Sequence, residues 1–179
     1  LTGITGTNGK TTCTQLLAHL LSFANGPVGV IGTLGYGSIM AKKTDLKTKG
    51  MTTPNPIDIQ SILADFVASD ISQAVMEVSS HGISQFRINS LLFDTAVFTN
   101  LSHDHLDYHG NLENYSKVKK ELFTMPGLKN AVINIDDTVG SKIAEELSLS
   151  INKISYSLVN PKASIFAEEI NISITGFTA

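Results

Sequence analysis

The chain has one cysteine, one arginine and no long apolar run. With Cys13 alone no disulfide framework can form, and a single thiol on the packed face of a helix reads as a core residue. No apolar stretch approaches the roughly 18 residues of a membrane span and no signal peptide is legible, so the expected compartment is the cytosol, without a membrane partner. Positive charge is also scarce. Thirteen Lys and Arg against 16 Asp and Glu give a formal net charge of −3, which supplies no field for a nucleic acid. A bound polyanion must therefore meet local positive charge and backbone dipoles, which suits a small phosphorylated ligand. All the basic residues but Arg87 are lysines, so the position of Arg87 carries information.

What the chain does have is enough apolar content, 42% of 179 residues, for one compact domain with its own core. It opens on Leu1-Thr-Gly-Ile-Thr-Gly-Thr-Asn-Gly-Lys-Thr-Thr12, a short β-type run followed by glycines and a lysine at the start of an apolar helix. In Gly6-x-x-Gly9-Lys10-Thr11, glycines let backbone N–H groups converge on phosphate oxygens. Lys10 can reach the β and γ oxygens, and a hydroxyl after it can ligate Mg²⁺. The longer G-x-x-x-x-G-K-[ST] pattern does not fit, because it needs glycine where Ile4 stands. The strand before the loop is short, and the chain is expected to start by truncation.

A βα rhythm follows: strand 1–5, helix 10–24, strand 28–31. The stretch Gly32 to Gly50, with its lysines 42, 43, 47 and 49, reads as a hairpin or mobile loop; phosphate contact by those lysines is the alternative. Asn55-Pro56 reads as an N-cap with proline at the first helical position, and Ile57, Ile59, Ile62, Leu63, Phe66 and Val67 form a helical stripe to about Ser69. Then come a buried strand 74–78, a short helix 83–88, strand 95–99, a His-rich polar loop, helix 113–124, strand 131–135, helix 138–147 and strand 153–157. The tail 163–175 reads as further β structure. Short strands alternating with helices predict an α/β fold with a mainly parallel, three-layer sheet.

In such sheets ligands sit beyond the carboxyl ends of the strands, so the residues following each strand should share a crevice. They are the phosphate loop; Glu77, Ser79, Ser80 and His81; and Asn100, His103, Asp104, His105, Asp107 and His109. Glu77, in an apolar strand, needs compensation for burial. It reads as a ligand of nucleotide-bound Mg²⁺, with a salt bridge as the alternative. The H-x-H-x-x-x-H spacing of the histidines fits no familiar structural zinc site. On the helix that follows, Lys117, Lys119 and Lys120 would ordinarily form a solvated face.

Four runs in order, Gly6-Thr7-Asn8-Gly9-Lys10-Thr11-Thr12, Thr52-Thr53-Pro-Asn-Pro56, Met76-Glu-Val-Ser-Ser-His-Gly82 and Phe98-Thr-Asn-Leu-Ser-His-Asp-His-Leu-Asp-Tyr-His-Gly110, resemble the Mur ligase family. The third and fourth resemble its MurE type. The resemblance implies an ATP-dependent ligase that adds the third amino acid, L-lysine or meso-diaminopimelate, to UDP-N-acetylmuramoyl-L-alanyl-D-glutamate in peptidoglycan synthesis. It implies that residues 1–179 are part of the central ATP-binding domain, expected to be cut short at both ends, apart from an N-terminal UDP-binding and a C-terminal amino-acid-binding domain.

By the same resemblance, residues Gly6 to Thr12 hold ATP, with Lys10 on its β and γ phosphates. Thr11 and Glu77 hold one Mg²⁺ and His105 a second. Lys119 falls where relatives carry a lysine carbamylated by CO₂, which turns a cation into a carboxylate-like metal ligand. Thr52, Thr53, Ser79, Gln85 and Arg87 fall where relatives contact the muramoyl peptide. Met51 stands where some relatives have a polar residue. The implied reaction passes through an acyl phosphate of the D-Glu γ-carboxylate, which the incoming amine attacks. Two alternatives are a folylpolyglutamate-synthetase-type ligase, disfavoured by the Ser-Ser-His-Gly and Asp-Tyr-His-Gly runs, and a non-catalytic nucleotide-binding module.

Overall fold

A computed structural model describes residues 1–41, 43–48, 50–173 and 176–178. Its elements are β1 (Thr2–Thr5), α1 (Lys10–Asn25), β2 (Val28–Gly32), β3 (Gly35–Met40), β4 (Lys43–Lys47), α2 (Pro56–Ala68), β5 (Gln73–Glu77), α3 (Ser80–Ser84), β6 (Thr95–Phe98), α4 (Leu106–His109), α5 (Leu112–Lys120), β7 (Asn130–Asn134), α6 (Thr138–Glu146), β8 (Asn152–Ser157), β9 (Ile165–Phe166), β10 (Asn171–Ser173) and β11 (Gly176–Thr178). Nine strands form one sheet in the order β4-β3-β2-β5-β1-β6-β7-β8-β9. From β2 to β9 neighbours run parallel, while β3 and β4 extend the β2 edge antiparallel.

The three-layer reading holds because the strands are apolar on both faces. Successive side chains of a strand point to opposite sides, so Ile4, Val30 and Val75 pack with Ala18 of α1, whereas Ile31, Met76, Ala96, Phe98 and Ile133 pack with Ile59, Ile62 and Phe66 of α2 and Ile143 of α6. All five residues of β2 are buried, as a parallel strand covered on both sides requires. Cys13 packs against the α1 cluster, and burial pushes its thiol pKa up.

Several boundaries differ from expectation for identifiable reasons. The Gly32–Gly50 stretch is ordered as β3 and β4 over its described residues; Lys42 and Lys49 lie outside them. The helix expected at 83–88 is α3, starting at Ser80, because the Ser79 hydroxyl accepts from the Gly82 N–H at 3.0 Å and caps it earlier. Helix α5 tightens after Lys120 into a 3₁₀ turn, Glu121–Thr124, and the His-rich loop contains the short α4. In the tail, β9 joins the main sheet and β10 pairs with β11, with Ile174 and Thr175 outside the described residues. Asn55 caps α2 as predicted, accepting from the Asp58 N–H at 2.9 Å. Among the described residues no helix is long and apolar enough to cross a membrane.

Strand β1 lies between β5 and β6. The chain leaves β1 toward β2 on one side and later adds β6 on the other, so the end of β1 is a topological switch point, where a crevice opens.

Candidate nucleotide and substrate site

The loop after β1 is clamped to the end of β6. Thr7 N–H donates to the Asn100 carbonyl at 2.8 Å, Asn8 N–H to Asn100 Oδ1 at 3.0 Å, and the Thr99 hydroxyl to the Asn8 carbonyl at 2.7 Å. Gly6 has φ +152°, and a Cβ there would fall 1.9 Å from Thr99 Oγ1, so only glycine permits this approach. Helix α1 begins at Lys10 with no side-chain cap on its first turn, leaving orphan N–H groups at the positive end of its dipole, an arrangement suited to an anion. Lys10 Nζ donates to the carbonyls of Gly6 and Thr7, each at 2.9 Å. Burial lowers its pKa, and Glu77 and Asp104 oppose that shift.

Glu77, at the end of β5, is 1% exposed. The salt-bridge alternative is not realised, since no described cation forms an ion pair with it. Its carboxylate instead accepts from the Thr11 hydroxyl at 2.9 Å, the Thr33 N–H at 2.9 Å and the Thr33 hydroxyl at 3.0 Å. A buried anion satisfied only by neutral donors retains capacity for a cation.

Of the three lysines on α5, Lys117 and Lys120 are expected on the solvated face and Lys119, by the family resemblance, apart from them. Lys117 pairs with Glu113 at 2.8 Å and Lys120 with Glu146 at 3.0 Å. Lys119 turns inward instead. It is 1% exposed, its Nζ donates to the Gly6 carbonyl at 2.9 Å, and it sits 4.6 Å from the Tyr115 ring centroid. Burial, reinforced by Lys10, brings its pKa down to about 7. Two lysines thus share one carbonyl of the phosphate loop, and no described carboxylate pairs with either.

The histidines of the loop after β6 behave differently from one another. His109 is buried with Nε2 3.0 Å from Ser80 Oγ, and its ring lies 5.0 Å from that of Tyr115. His105 is exposed and left-handed (φ +52°), with Nε2 3.5 Å from Asp104. His81 lies between the His105 and Tyr108 rings, at 5.0 and 4.2 Å. Burial, then the neighbouring histidine, lowers the pKa of both His81 and His109. Of the four predicted metal-binding residues the structure joins Thr11 to Glu77. It leaves His105 on the open side and Lys119 on the Gly6 carbonyl. Among the described residues no three His, Cys, Asp or Glu converge as a metal-binding group.

All five predicted substrate residues lie in one bonded patch beside Glu77. The buried Thr53 hydroxyl donates to the Glu77 carbonyl at 3.0 Å and accepts from the Ser79 N–H at 2.9 Å. Arg87 donates to the Thr53 carbonyl at 2.6 Å and to Gln85 Oε1 at 2.5 Å, and touches Met51 Sδ at 3.5 Å. Thr52 Oγ1 is 3.0 Å from Thr33 Oγ1. Gln85 also donates to the Tyr108 hydroxyl at 3.3 Å, which joins the patch to the histidine cluster.

Thr33, Tyr108, Tyr115, Thr99, Asn134 and Asp137 complete the site without having been singled out from the sequence. Tyr115 OH lies 3.3 Å from Thr7 Oγ1, Asn134 donates to the Thr99 carbonyl at 2.8 Å, and Asp137 accepts from the Leu101 N–H at 2.7 Å. The strand-end rule could have found Thr33, Asn134 and Asp137, since Thr33 follows β2, Asn134 ends β7 and Asp137 lies just beyond it.

A family model described as the Mur ligase middle domain matches residues 4–179. The UDP-N-acetylmuramoyl-L-alanyl-D-glutamate–2,6-diaminopimelate ligase of Pseudomonas putida is 43% identical over 186 residues, covering 100% of this chain and 37% of the relative. The enzyme of the same name from Pseudomonas aeruginosa is 44% identical, covering 100% and 36%. A solved structure of a ligase of that name superposes with a TM-score of 0.88 at 36% identity, covering 98% of this chain and 35% of that one. The chain thus spans little more than a third of the relatives it matches. With the phosphate loop, buried glutamate and inward lysine in one crevice, the chain belongs to the Mur ligase middle-domain family.

Proposed function

We propose that this chain is the nucleotide-handling domain of a MurE-type ligase. In this reading the ligase adds an amino acid to UDP-N-acetylmuramoyl-L-alanyl-D-glutamate at the expense of ATP, in the cytoplasmic phase of cell-wall synthesis that underlies cell shape and division. The observation that carries the reading is the hydrogen-bonded continuity from phosphate loop to substrate patch: Thr11, Glu77, Thr33, Thr52 on one path and Glu77, Thr53, Arg87 on the other. The residues fit Mg²⁺ and ATP. The loop excludes side-chain bulk at Gly6, a buried carboxylate faces a threonine hydroxyl, and the half-buried Lys10 is held by carbonyls alone. ATP supplies the phosphoryl group that activates a carboxylate, and Mg²⁺ offsets its charge.

The chain's own residues have separable tasks. Lys10 would exchange two neutral loop carbonyls for charged phosphate oxygens, which make the stronger hydrogen bonds. Thr11 and Glu77 would hold one Mg²⁺, with His105 and Lys119 as the residues available to a second. Arg87, with Thr52, Thr53, Ser79 and Gln85, would hold the muramoyl peptide so that its γ-carboxylate faces the phosphate loop.

Lys119 is assigned as the carbamylated lysine. Carbamate formation requires a neutral amine: the nitrogen lone pair bonds to the carbon of CO₂, the proton leaves to solvent, and a carboxylate-like anion results. Burial provides that neutral amine near pH 7, and the anion would stand beside Lys10. The amino acid added is assigned as 2,6-diaminopimelate, the one named for the relatives.

The test is a turnover assay of the full-length ligase with Mg²⁺-ATP, the UDP-muramoyl dipeptide and either 2,6-diaminopimelate or L-lysine, reading phosphate release and product mass. Dipeptide-dependent phosphate release with mass gain from diaminopimelate is expected. Release indifferent to the dipeptide would overturn the ligase reading, and a lysine adduct would overturn the choice of amino acid.

A further inference from the structure

Thr33 is exposed, yet it makes two of the three hydrogen bonds to the Glu77 carboxylate found among the described residues. Its N–H reaches Oε1 at 2.9 Å and its hydroxyl Oε2 at 3.0 Å. Room for this comes from Gly32, where a Cβ would lie 2.2 Å from Glu77 Oε1. The same hydroxyl lies 3.0 Å from Thr52 Oγ1. A hydroxyl has one proton and a carboxylate oxygen only accepts. With the Thr33 proton committed to Glu77, Thr52 must donate to Thr33, so the chain runs Thr52 to Thr33 to Glu77. Thr11 donates to the same Oε2 from the nucleotide side. No packing demand explains a hydroxyl at an exposed position.

We propose that Thr33 is a positioning residue for both halves of this site. It fixes the rotamer of the Glu77 carboxylate so that Oε2 faces Thr11, and by taking the Thr52 proton it leaves the Thr52 hydroxyl to accept a hydrogen bond from the muramoyl peptide. The inference rests on the ligase reading above and adds a residue that serves metal–nucleotide and peptide binding together. The N–H contact is backbone and survives substitution; the hydroxyl contacts do not.

The experiment uses full-length ligase, wild type and Thr33→Val, Thr33→Ala, Thr33→Ser and Thr52→Val. Binding of Mn²⁺ with a non-hydrolysable ATP analogue is followed by the paramagnetic resonance of free Mn²⁺, and binding of the UDP-muramoyl dipeptide by calorimetry. Removing a hydrogen bond to a charged group should weaken Mn²⁺–nucleotide binding about tenfold in Thr33→Val and Thr33→Ala, with dipeptide binding weakened at least about threefold. Thr33→Ser should restore both, and Thr52→Val should weaken the dipeptide alone. If Thr33→Val misfolds by circular dichroism, Thr33→Ala carries the test. The proposal is overturned if either binding is unchanged without the hydroxyl, or if serine rescues neither. Wild-type protein that binds no Mn²⁺–nucleotide would overturn the ligase reading itself.

Discussion

The two flanks of β1 are built on opposite principles. On the β5 side, Glu77, Thr33, Thr52, Thr53 and Ser79 form a network of short hydrogen bonds around a carboxylate that is 1% exposed. On the β6 side, the Asn100 carbonyl and the Thr99 hydroxyl hold the phosphate loop, but beyond them His103, Asp104 and His105 are exposed, and His105 is left-handed. The first flank is preassembled by the fold. The second offers ligand-capable groups that the protein alone does not bring together, and substitutions should affect the two flanks unequally.

The largest effect is expected at Glu77. Glu77→Ala would remove the only anion of the preassembled flank and strand the Thr11 and Thr33 donors. Turnover of the full-length ligase should fall by roughly 10³-fold, in the range of a lost electrostatic contact to a transferring group. His105→Ala should cost less, because an exposed side chain can be replaced by water. A larger loss at His105 than at Glu77, in phosphate-release assays, would reverse the comparison.

Next is Lys119, which reaches the same loop from behind. If Lys119 carries the proposed carbamate, Lys119→Ala should lose most activity and regain part of it with added formate or acetate, which can stand in for the carbamate's carboxylate. Protonation removes the nucleophilic amine, so carbamylation, read by ¹³CO₂ NMR, should decline as pH falls through about 7. The sign for stability is set by the same depressed pKa. Between about 7 and the ordinary lysine value of 10.5 the unfolded amine holds a proton that the folded one lacks. Unmodified protein in CO₂-free buffer should therefore gain stability as pH rises through that window, and Lys119→Met should abolish the gain. Thermal melts with the same pH slope in both proteins would show that Lys119 is not the titrating group.

Arg87→Lys tests the peptide end of the preassembled flank. Lysine keeps the charge but cannot hold the Thr53 carbonyl and Gln85 Oε1 at once. Dipeptide binding should weaken by about 1–3 kcal/mol with nucleotide binding unchanged. Equal loss of both by calorimetry would mean that the patch is scaffold and not a recognition surface.

The contrast also explains what was legible in the sequence. The parallel core could be read because buried strands are continuous apolar runs and Asn55-Pro56 is a strong local start signal. The motif-bearing residues could be placed because strand ends converge. Lys119 could not be told from its neighbours by charge pattern: Lys117 faces solvent and the half-buried Lys120 pairs with Glu146, so only the family resemblance and the i, i+4 relation to the buried Tyr115 set position 119 apart. Thr33 was missed because a single hydroxyl in a glycine-rich stretch has no charge or spacing to flag it. The start of α3 was misjudged because its cap, Ser79, stood among residues already assigned to chemistry.

The smallest effect concerns how α3 ends. Arg87 N–H bonds the Gly82 carbonyl and Phe86 N–H the Ile83 carbonyl, each at 2.9 Å, with Phe86 at φ +57°. This is a Schellman termination with phenylalanine where glycine is favoured. Helix α2 ends the same way, Ile71 N–H on Phe66 and Asp70 N–H on Val67, but with Asp70 in the left-handed position (φ +56°), a residue type that tolerates it better. The strained version leads directly into Arg87. The Phe86 side chain is 68% exposed, so its loss forfeits little packing. Phe86→Gly should relieve about 1–2 kcal/mol of backbone strain, less roughly 0.5–1 kcal/mol for the freer unfolded chain, a net gain below about 1 kcal/mol. Phe86→Asn should gain a little with a smaller entropic penalty. If Phe86 only terminates the helix, dipeptide affinity will not change in either variant. A stabilised protein with weakened dipeptide binding would instead show that the exposed ring itself meets the substrate, extending the preassembled flank by one residue.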